Sequence, residues 1–420
     1  MSKLSVWIFN HYAGVPGGIG SSRHFELAKR LVRQGMDVTI VTAEPLAESV
    51  PSSAEESRAP IAMEEADGVR FLHVRMRSSY ARNGLARVLN MLEFAVKTWW
   101  RGRSSFAGEA ALPDVIIGST PHLLTPLTAW ILCKRFRVPF LMEVRDLWPE
   151  TIVGMGLLSR RNPLTQLLYA LERFLYARAS HIISLLPDIR SYLDRVYPKA
   201  VVSVVPNGVD PEAFGCAPMK REEREPFRVV YAGTHRPANG LMNVVLAAEF
   251  LRRDEHIEIH LYGEGSEKRE LIEAARGRGL EFVHFHDAVT KKEIPDILCQ
   301  AHAFLLNYAR IGIGKYGVSP NKLWEYMAAG RPVIFAHEAS NNPVSKAGCG
   351  VSVEPEDPHA LADAICELAS RSLEELQVMG KRGRDHVREH HDWDLLGERF
   401  AQVLRAFASE GSRSDSERLR

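Results

Sequence analysis

Cysteine is scarce in this chain, long apolar runs are missing, and neither sign of charge prevails. Cys133, Cys216, Cys299, Cys349 and Cys366 are the five cysteines in 420 residues. The count is odd and no Cys-x-x-Cys occurs, which argues against a disulfide framework and a thiolate zinc site. A reducing compartment, hence a cytoplasmic protein, is the simplest expectation. No stretch approaches the roughly 18 apolar residues needed to span a bilayer. The opening Met1–Asn10 reads as a strand rather than a charged segment followed by an apolar core, so a secretory leader is not expected. A net charge of +1 excludes a broad nucleic-acid-binding field. His390-His391 lacks metal-ligand spacing and reads as a solvated helix face, so no metal site is expected. No Ser-His-Asp elbow occurs.

What is present is the composition of a globular protein, 45% hydrophobic and 25% charged. The length favours two domains. Short apolar runs begin near Leu4, Asp37, Val69, Asp114, Val138, His181 and Val201, and a second series near Phe227, Ile257, Glu281, Ala303, Pro332 and Gly350. Helical patterns such as Arg23–Gln34, Pro163–Ala179 and Pro358–Ser370 fall between them. Such alternation predicts α/β architecture with parallel sheets covered on both faces, in two doubly wound domains facing each other. The turn Asn207-Gly208, bracketed by Pro206 and Pro211, marks the boundary. We expect a first domain over 1–208 with 393–410, a second over 209–392, a mobile loop over 44–66 and a disordered tail at 411–420.

Residues 319–334 carry the densest signal. Ser319 and Pro320 suit a helix start, Gly330 its end, and Pro332 opens a strand. Free N–H groups at the helix tip, by Asn321, Lys322 and Leu323, form a phosphate site. Glu325 shares a face with Asn321 at i,i+4. An anion site beside a carboxylate suits a nucleotide; a plain capped helix is the alternative. Gly233, Thr234 and Arg236 follow one strand, and Gly263 and Glu264 follow the next. Each pair alone is a common turn, but together with 319–325 they converge on one sheet edge.

In the first half, Gly17 and Gly18 lie in a Gly-rich loop after the first strand, with Arg23 just inside the next helix. The loop either approaches an anion or is a long turn. Glu143, Arg145 and Asp146 sit at the carboxyl end of a strand, where open α/β sheets bind ligands. Arg145 can neutralise phosphate and Asp146 can orient a hydroxyl; a structural ion pair is the alternative. Leu85, Val88, Leu89, Leu92, Val96 and Trp99 recur at helical spacing among Arg82, Arg87, Lys97, Arg101 and Arg103. That helix either packs on the core or rests on an anionic membrane.

These residues resemble glycosyltransferase family 4, the retaining enzymes of the GT-B fold. Gly17-Gly18, Arg33-Gln34-Gly35, Val205–Asp210, Tyr231–Thr234, Tyr262–Gly265, Glu325–Ile334 and Gly348–Val351 carry the likeness. Glu143–Pro149 and Ser319–Lys322 are similar to the WbuB-like branch, which builds bacterial surface polysaccharides. The resemblance implies two Rossmann-like domains across a cleft, a UDP-sugar donor in the second, and no required cofactor or metal. It implies that Glu325 binds ribose hydroxyls. Gly233, Thr234, Arg236, Asn321 and Lys322 would stabilise the diphosphate, with Gly263, Glu264, Ser319 and Leu323 in the same site. Gly17, Gly18, Arg145 and Asp146 would bind the acceptor. Arg145, Asp146, Lys322 and Glu325 are the expected catalytic residues. The expected acceptor is a polyprenyl-diphosphate-linked saccharide at the cytoplasmic membrane face, and the sugar an N-acetylated hexosamine such as N-acetylfucosamine. This chain departs from the family at Gly317, where a first Glu is usual, at Asn239, where a basic residue is usual, and at Arg145, where His is common. A non-catalytic nucleotide-sugar-binding partner and a UDP-sugar 2-epimerase are the competing functions.

Overall fold

A computed structural model describes residues 3–15, 22–44, 61–77, 84–103, 106, 110–222, 225–251 and 256–418, with main chain alone at 85 and 408–418. Gly17, Gly18 and Arg82 lie outside the described residues. The chain divides into two compact units, residues 1–206 with 393–420, and residues 207–392.

The first unit holds an eight-stranded sheet in the order β3-β4-β2-β1-β5-β6-β7-β8. β1 (Ser5–Phe9) lies between β2 (Asp37–Ala43) and β5 (Val115–Ser119), parallel to both. All five β1 residues are buried, as an unbroken apolar run demands in a sheet covered on both faces. β6 (Phe140–Val144), β7 (His181–Ser184) and β8 (Val202–Val204) continue outward. β3 (Ile61–Ala66) runs antiparallel to β4 (Val69–Val74), so the loop expected over 44–66 ends in a strand. Its sequence lacks period-2 apolarity, because only Ile61 faces fully inward. The hairpin signal is Asp67-Gly68, both with positive φ.

The Trp393–Arg418 helix returns to this unit, so the tail expected to be disordered from 411 is helical to 418. Leu396, Phe400 and Leu404 share a core with Leu27 and Leu31, and Arg30 Nε bonds Asp394 Oδ1 at 2.8 Å. On the Leu85–Gly102 helix, Met91 and Phe94 are buried, while Val88, Leu92, Val96 and Trp100 are exposed.

The second unit is a six-stranded parallel sheet, β11-β10-β9-β12-β13-β14. β9 (Phe227–Ala232) sits between β10 (Ile257–Tyr262) and β12 (Ala303–Asn307). Val229 and Tyr231 face one core and Val230 and Ala232 the other. β11 (Val283–His286), β13 (Val333–Ala336) and β14 (Gly350–Val353) complete it. The chain turns from one side of β9 to the other between β9 and β12, a topological switch point that opens a crevice at the strands' carboxyl ends.

Two sequence expectations fail here. Cys216 and Cys299 form a disulfide, with Cα atoms 5.1 Å apart across 83 positions. Spacing alone could not pair them, because the fold brings the ends together. His391, expected on a solvated face, is buried, stacks on Trp324 at 3.4 Å and bonds the Asn207 carbonyl through Nδ1 at 3.0 Å. His390 is exposed as expected.

Candidate active site

In the second unit the strand ends pack too closely for side chains. Gly233 N–H donates to the Tyr262 carbonyl at 2.9 Å, and His235 N–H to the Glu264 carbonyl at 2.9 Å. A Cβ on Gly263, whose φ is +142°, would lie 1.8 Å from the Gly233 carbonyl oxygen. The Gly233 loop is braced from below. Tyr231 hydroxyl donates to the Thr234 carbonyl at 2.8 Å, and Asn239 Nδ2 donates to the same oxygen at 2.6 Å. Asn239, where the family usually has a base, is thus a buried loop brace.

The Asn321–Ala329 helix begins beside this loop. Its N-cap is Pro320, with no side-chain cap bond, so N–H groups of the first turn stay open to an anion. Ser319 does not cap the helix as expected. Its hydroxyl accepts from Asn207 N–H at 2.7 Å and from Trp324 Nε1 at 3.4 Å. Asn321 Oδ1 is buried and has no hydrogen-bond partner among the described residues. Lys322 extends to the β9 end, where Nζ donates to the Tyr231 hydroxyl at 2.8 Å and lies 4.6 Å from the ring centre. A Cβ on Gly233 would meet that amine at 1.9 Å, so the glycine makes its seat. Burial pushes Lys322 down to about 8, although Glu325 pulls it back. Burial raises Glu325, with Lys322 and Lys291 opposing. Both side chains are only half-buried.

The structure therefore brings Gly233, Thr234, Gly263, Asn321, Lys322 and Glu325 to one sheet edge. Arg236 is exposed on the same loop. Glu264 instead pairs with Lys268 at 2.5 Å, which also bonds Asp287. Leu323 is wholly buried in the core, so only its backbone faces the helix tip. Gly317, at the family's usual Glu position, has a φ of +84°.

In the first unit, Glu143 is fully buried and not a ligand group. It takes Arg23 Nε at 2.9 Å, His24 Nε2 at 2.7 Å and Ser119 hydroxyl at 2.5 Å. Arg23 also reaches the Val205 and Pro206 carbonyls, so it is a structural cation and not the added site charge the sequence allowed. Burial pushes Glu143 up, but Arg23 and His24 outweigh it and hold the carboxyl well below its usual range. Two residues further, Thr120 hydroxyl accepts from the N–H groups of Arg145 and Asp146 at 2.8 and 3.3 Å. Burial raises Asp146 and Arg145 lowers it; its exposure to water limits the effect.

Sequence reasoning missed a histidine pair beside this strand edge. His11 Nδ1 and His122 Nε2 are 2.8 Å apart. His11 stacks between Tyr12 and Phe94, each at 4.3 Å. Burial takes it to about 3, so it is neutral. The available signal was a histidine within three residues of the end of each of two buried strands, β1 and β5.

Residues 17–208 match the family model described as Glycosyl transferase 4-like domain, and residues 226–371 match Glycosyl transferases group 1. The probable glycosyltransferase WbjE of Pseudomonas aeruginosa is 24% identical over 349 residues, 78% of this chain and 81% of that protein. Sucrose-phosphate synthase of Thermosynechococcus elongatus has a similar structure, with a TM-score of 0.76 at 17% identity, covering 97% of this chain and 100% of that one. HepE of Anabaena in complex with UDP and glucose gives 0.66 at 15%, covering 96% and 99%. With one matched domain in each compact unit, the chain belongs to the family-4-like glycosyltransferases of the GT-B fold.

Proposed function

We propose that this glycosyltransferase moves a sugar from a UDP-sugar to a lipid-linked saccharide with retention at the anomeric carbon. The observation that carries the donor reading is the Lys322 amine seated against Gly233 beside an uncapped helix start, with Glu325 one turn on. The diphosphate would sit against that amine and the helix tip, and Glu325 would take ribose hydroxyls. HepE, of the same fold, was solved with UDP and glucose, which supports a UDP-sugar as the donor. During transfer the bond from the anomeric carbon to the diphosphate oxygen breaks. The bond to the acceptor oxygen forms on the same face, and the acceptor proton passes to the departing phosphate oxygen. Charge grows on the leaving group, so Lys322 and the helix tip accelerate that step. Asp146 would orient the acceptor hydroxyl, with Arg145 beside it.

An N-acetylated hexosamine donor and a polyprenyl-diphosphate acceptor, as in surface-polysaccharide synthesis, are the finer parts of the reading. The exposed row Val88, Leu92, Val96 and Trp100 supports contact with a lipid surface. A thermal-shift panel of UDP-sugars tests the donor. UDP should protect across the panel and one sugar most. Asp146→Asn should keep that protection and lose transfer. No protection by UDP, or full transfer by Asp146→Asn, would overturn the assignment.

A further inference from the structure

The second unit carries a cluster of metal-ligating side chains apart from the donor loop. β10 and β11 pair in parallel with His260 opposite His284 and Tyr262 opposite His286. Strand alternation sends Ile257, Ile259 and Leu261 into the core, with Leu271 and Ala275 of the Lys268–Gly277 helix. The same alternation sends Glu258, His260, His284 and His286 to the other face. β11 is the edge strand, and that face is only partly covered. Side-chain exposure is 31% at Glu258, 16% at His260 and 38% at His284.

We infer that Glu258, His260 and His284 form a site for a divalent transition-metal ion. One ligand atom from each lies within 4.8 Å of the others. His260 Nε2 is 3.1 Å from Glu258 Oε2, and His284 Nε2 is 3.9 Å from Glu258 Oε1. Two ligands on a tetrahedral zinc ion at its usual bond lengths stand about 3.4 Å apart, between these two separations. Water would supply the fourth ligand, since Glu258 and His284 are partly exposed. Two imidazoles and a carboxylate select zinc, cobalt, nickel or copper over magnesium and calcium.

His286 completes the arrangement as the outer partner. Its Nε2 is 3.0 Å from His260 Nδ1. When His260 donates Nδ1–H to His286, its Nε2 lone pair faces the Glu258 carboxylate. Two acceptors at that separation need a cation between them, and the outer hydrogen bond is what a ligating histidine ordinarily makes. In the opposite tautomer His260 donates Nε2–H to Glu258 and the cluster closes without an ion. Arg228 Nε lies 3.8 Å from Glu258 Oε2 and would compete with an ion for that carboxylate.

An ion here would clip the edge strand to β10, whose next residue is Gly263. Gly263 N–H donates to the His286 carbonyl at 3.3 Å, so the clip lies one hydrogen bond from the donor loop. The site stands independently of the donor assignment.

Tag-free, chelator-stripped full-length protein titrated with Zn²⁺, and with Co²⁺ for its ligand-field spectrum, tests the site. We expect one saturable equivalent, a raised melting temperature, and no response to Mg²⁺ or Ca²⁺. His260→Gln and His284→Gln should abolish that equivalent. His286→Gln should weaken it about 10–100-fold, as loss of an outer-shell partner does. His390→Gln, at an exposed histidine elsewhere, should change nothing. If His260→Gln fails to fold, His284→Gln, on the edge strand, decides alone. No saturable binding, or binding unaltered in His284→Gln, overturns the site and identifies the cluster as a proton-sharing network.

Discussion

The Lys322 amine, pushed down to about 8 by burial, titrates within the range of ordinary assays. The free protein loses that charge as pH rises through about 8, so UDP affinity should fall above that point. Isothermal titration across the step measures it. Lys322→Ala should bind UDP about ten- to a hundred-fold more weakly, the ~1.5–3 kcal/mol of a hydrogen bond to a charged group. Lys322→Arg, whose guanidinium stays charged, should lose the alkaline limb. Stability runs the opposite way. The unfolded lysine holds its proton to about 10.4, so between the two values the unfolded state binds more protons and stability rises with pH. An affinity indifferent to this step would separate the amine from the diphosphate. Glu143 is the corresponding residue for stability. Its folded value lies well below the usual range because of Arg23 and His24. Its contribution is therefore present above the ordinary carboxylate value and lost as pH falls below it. Glu143→Ala removes the carboxylate that neutralises the buried Arg23 guanidinium, and should cost about 3–5 kcal/mol in urea unfolding. A loss below about 1 kcal/mol would mean the pair is replaceable by water.

Between elements, two glycines at one strand edge make opposite predictions. Gly263→Ala sets a Cβ against the Gly233 carbonyl, which is backbone, and at a φ of +142°. Neither side can yield, so melting temperature and soluble yield should both drop. Gly233→Ala meets the far end of Lys322 and, at 3.0 Å, the Tyr231 hydroxyl, both at side-chain ends and neither of them backbone. A flexible side chain moves aside, so this variant should melt like the wild type yet bind UDP as poorly as Lys322→Ala. Wild-type UDP binding by Gly233→Ala would disconnect the amine's seat from the donor. Helix boundaries are better marked locally than such approaches are. The Pro358–Ser370 helix matches its expected range, because Asp357 accepts from Ala360 N–H at 3.0 Å and so caps the start. β3 shows the reverse case, since an edge strand with one inward residue leaves no alternating pattern to read.

Over the whole molecule, no helix among the described residues is long and apolar enough to cross a membrane. The exposed row on the Leu85–Gly102 helix gives a different prediction, attachment to a lipid surface. The wild-type protein should sediment with anionic vesicles, and replacing Trp99 and Trp100 by Ala should leave it in the supernatant. Equal sedimentation of both proteins would reject the membrane role. The sequence by itself determined the α/β alternation and two sheets that are parallel apart from β3. Those features rest on local periodicity, turn chemistry and residue spacing, which act over a few positions. Only the tertiary structure decided which charges are spent on the fold and which are open to a ligand. Arg23 meets Glu143 across 120 positions, Cys216 meets Cys299 across 83, and His260 meets His284 through strand register. Partners that distant are chosen by how strands order and pack, and no short window of sequence contains that information.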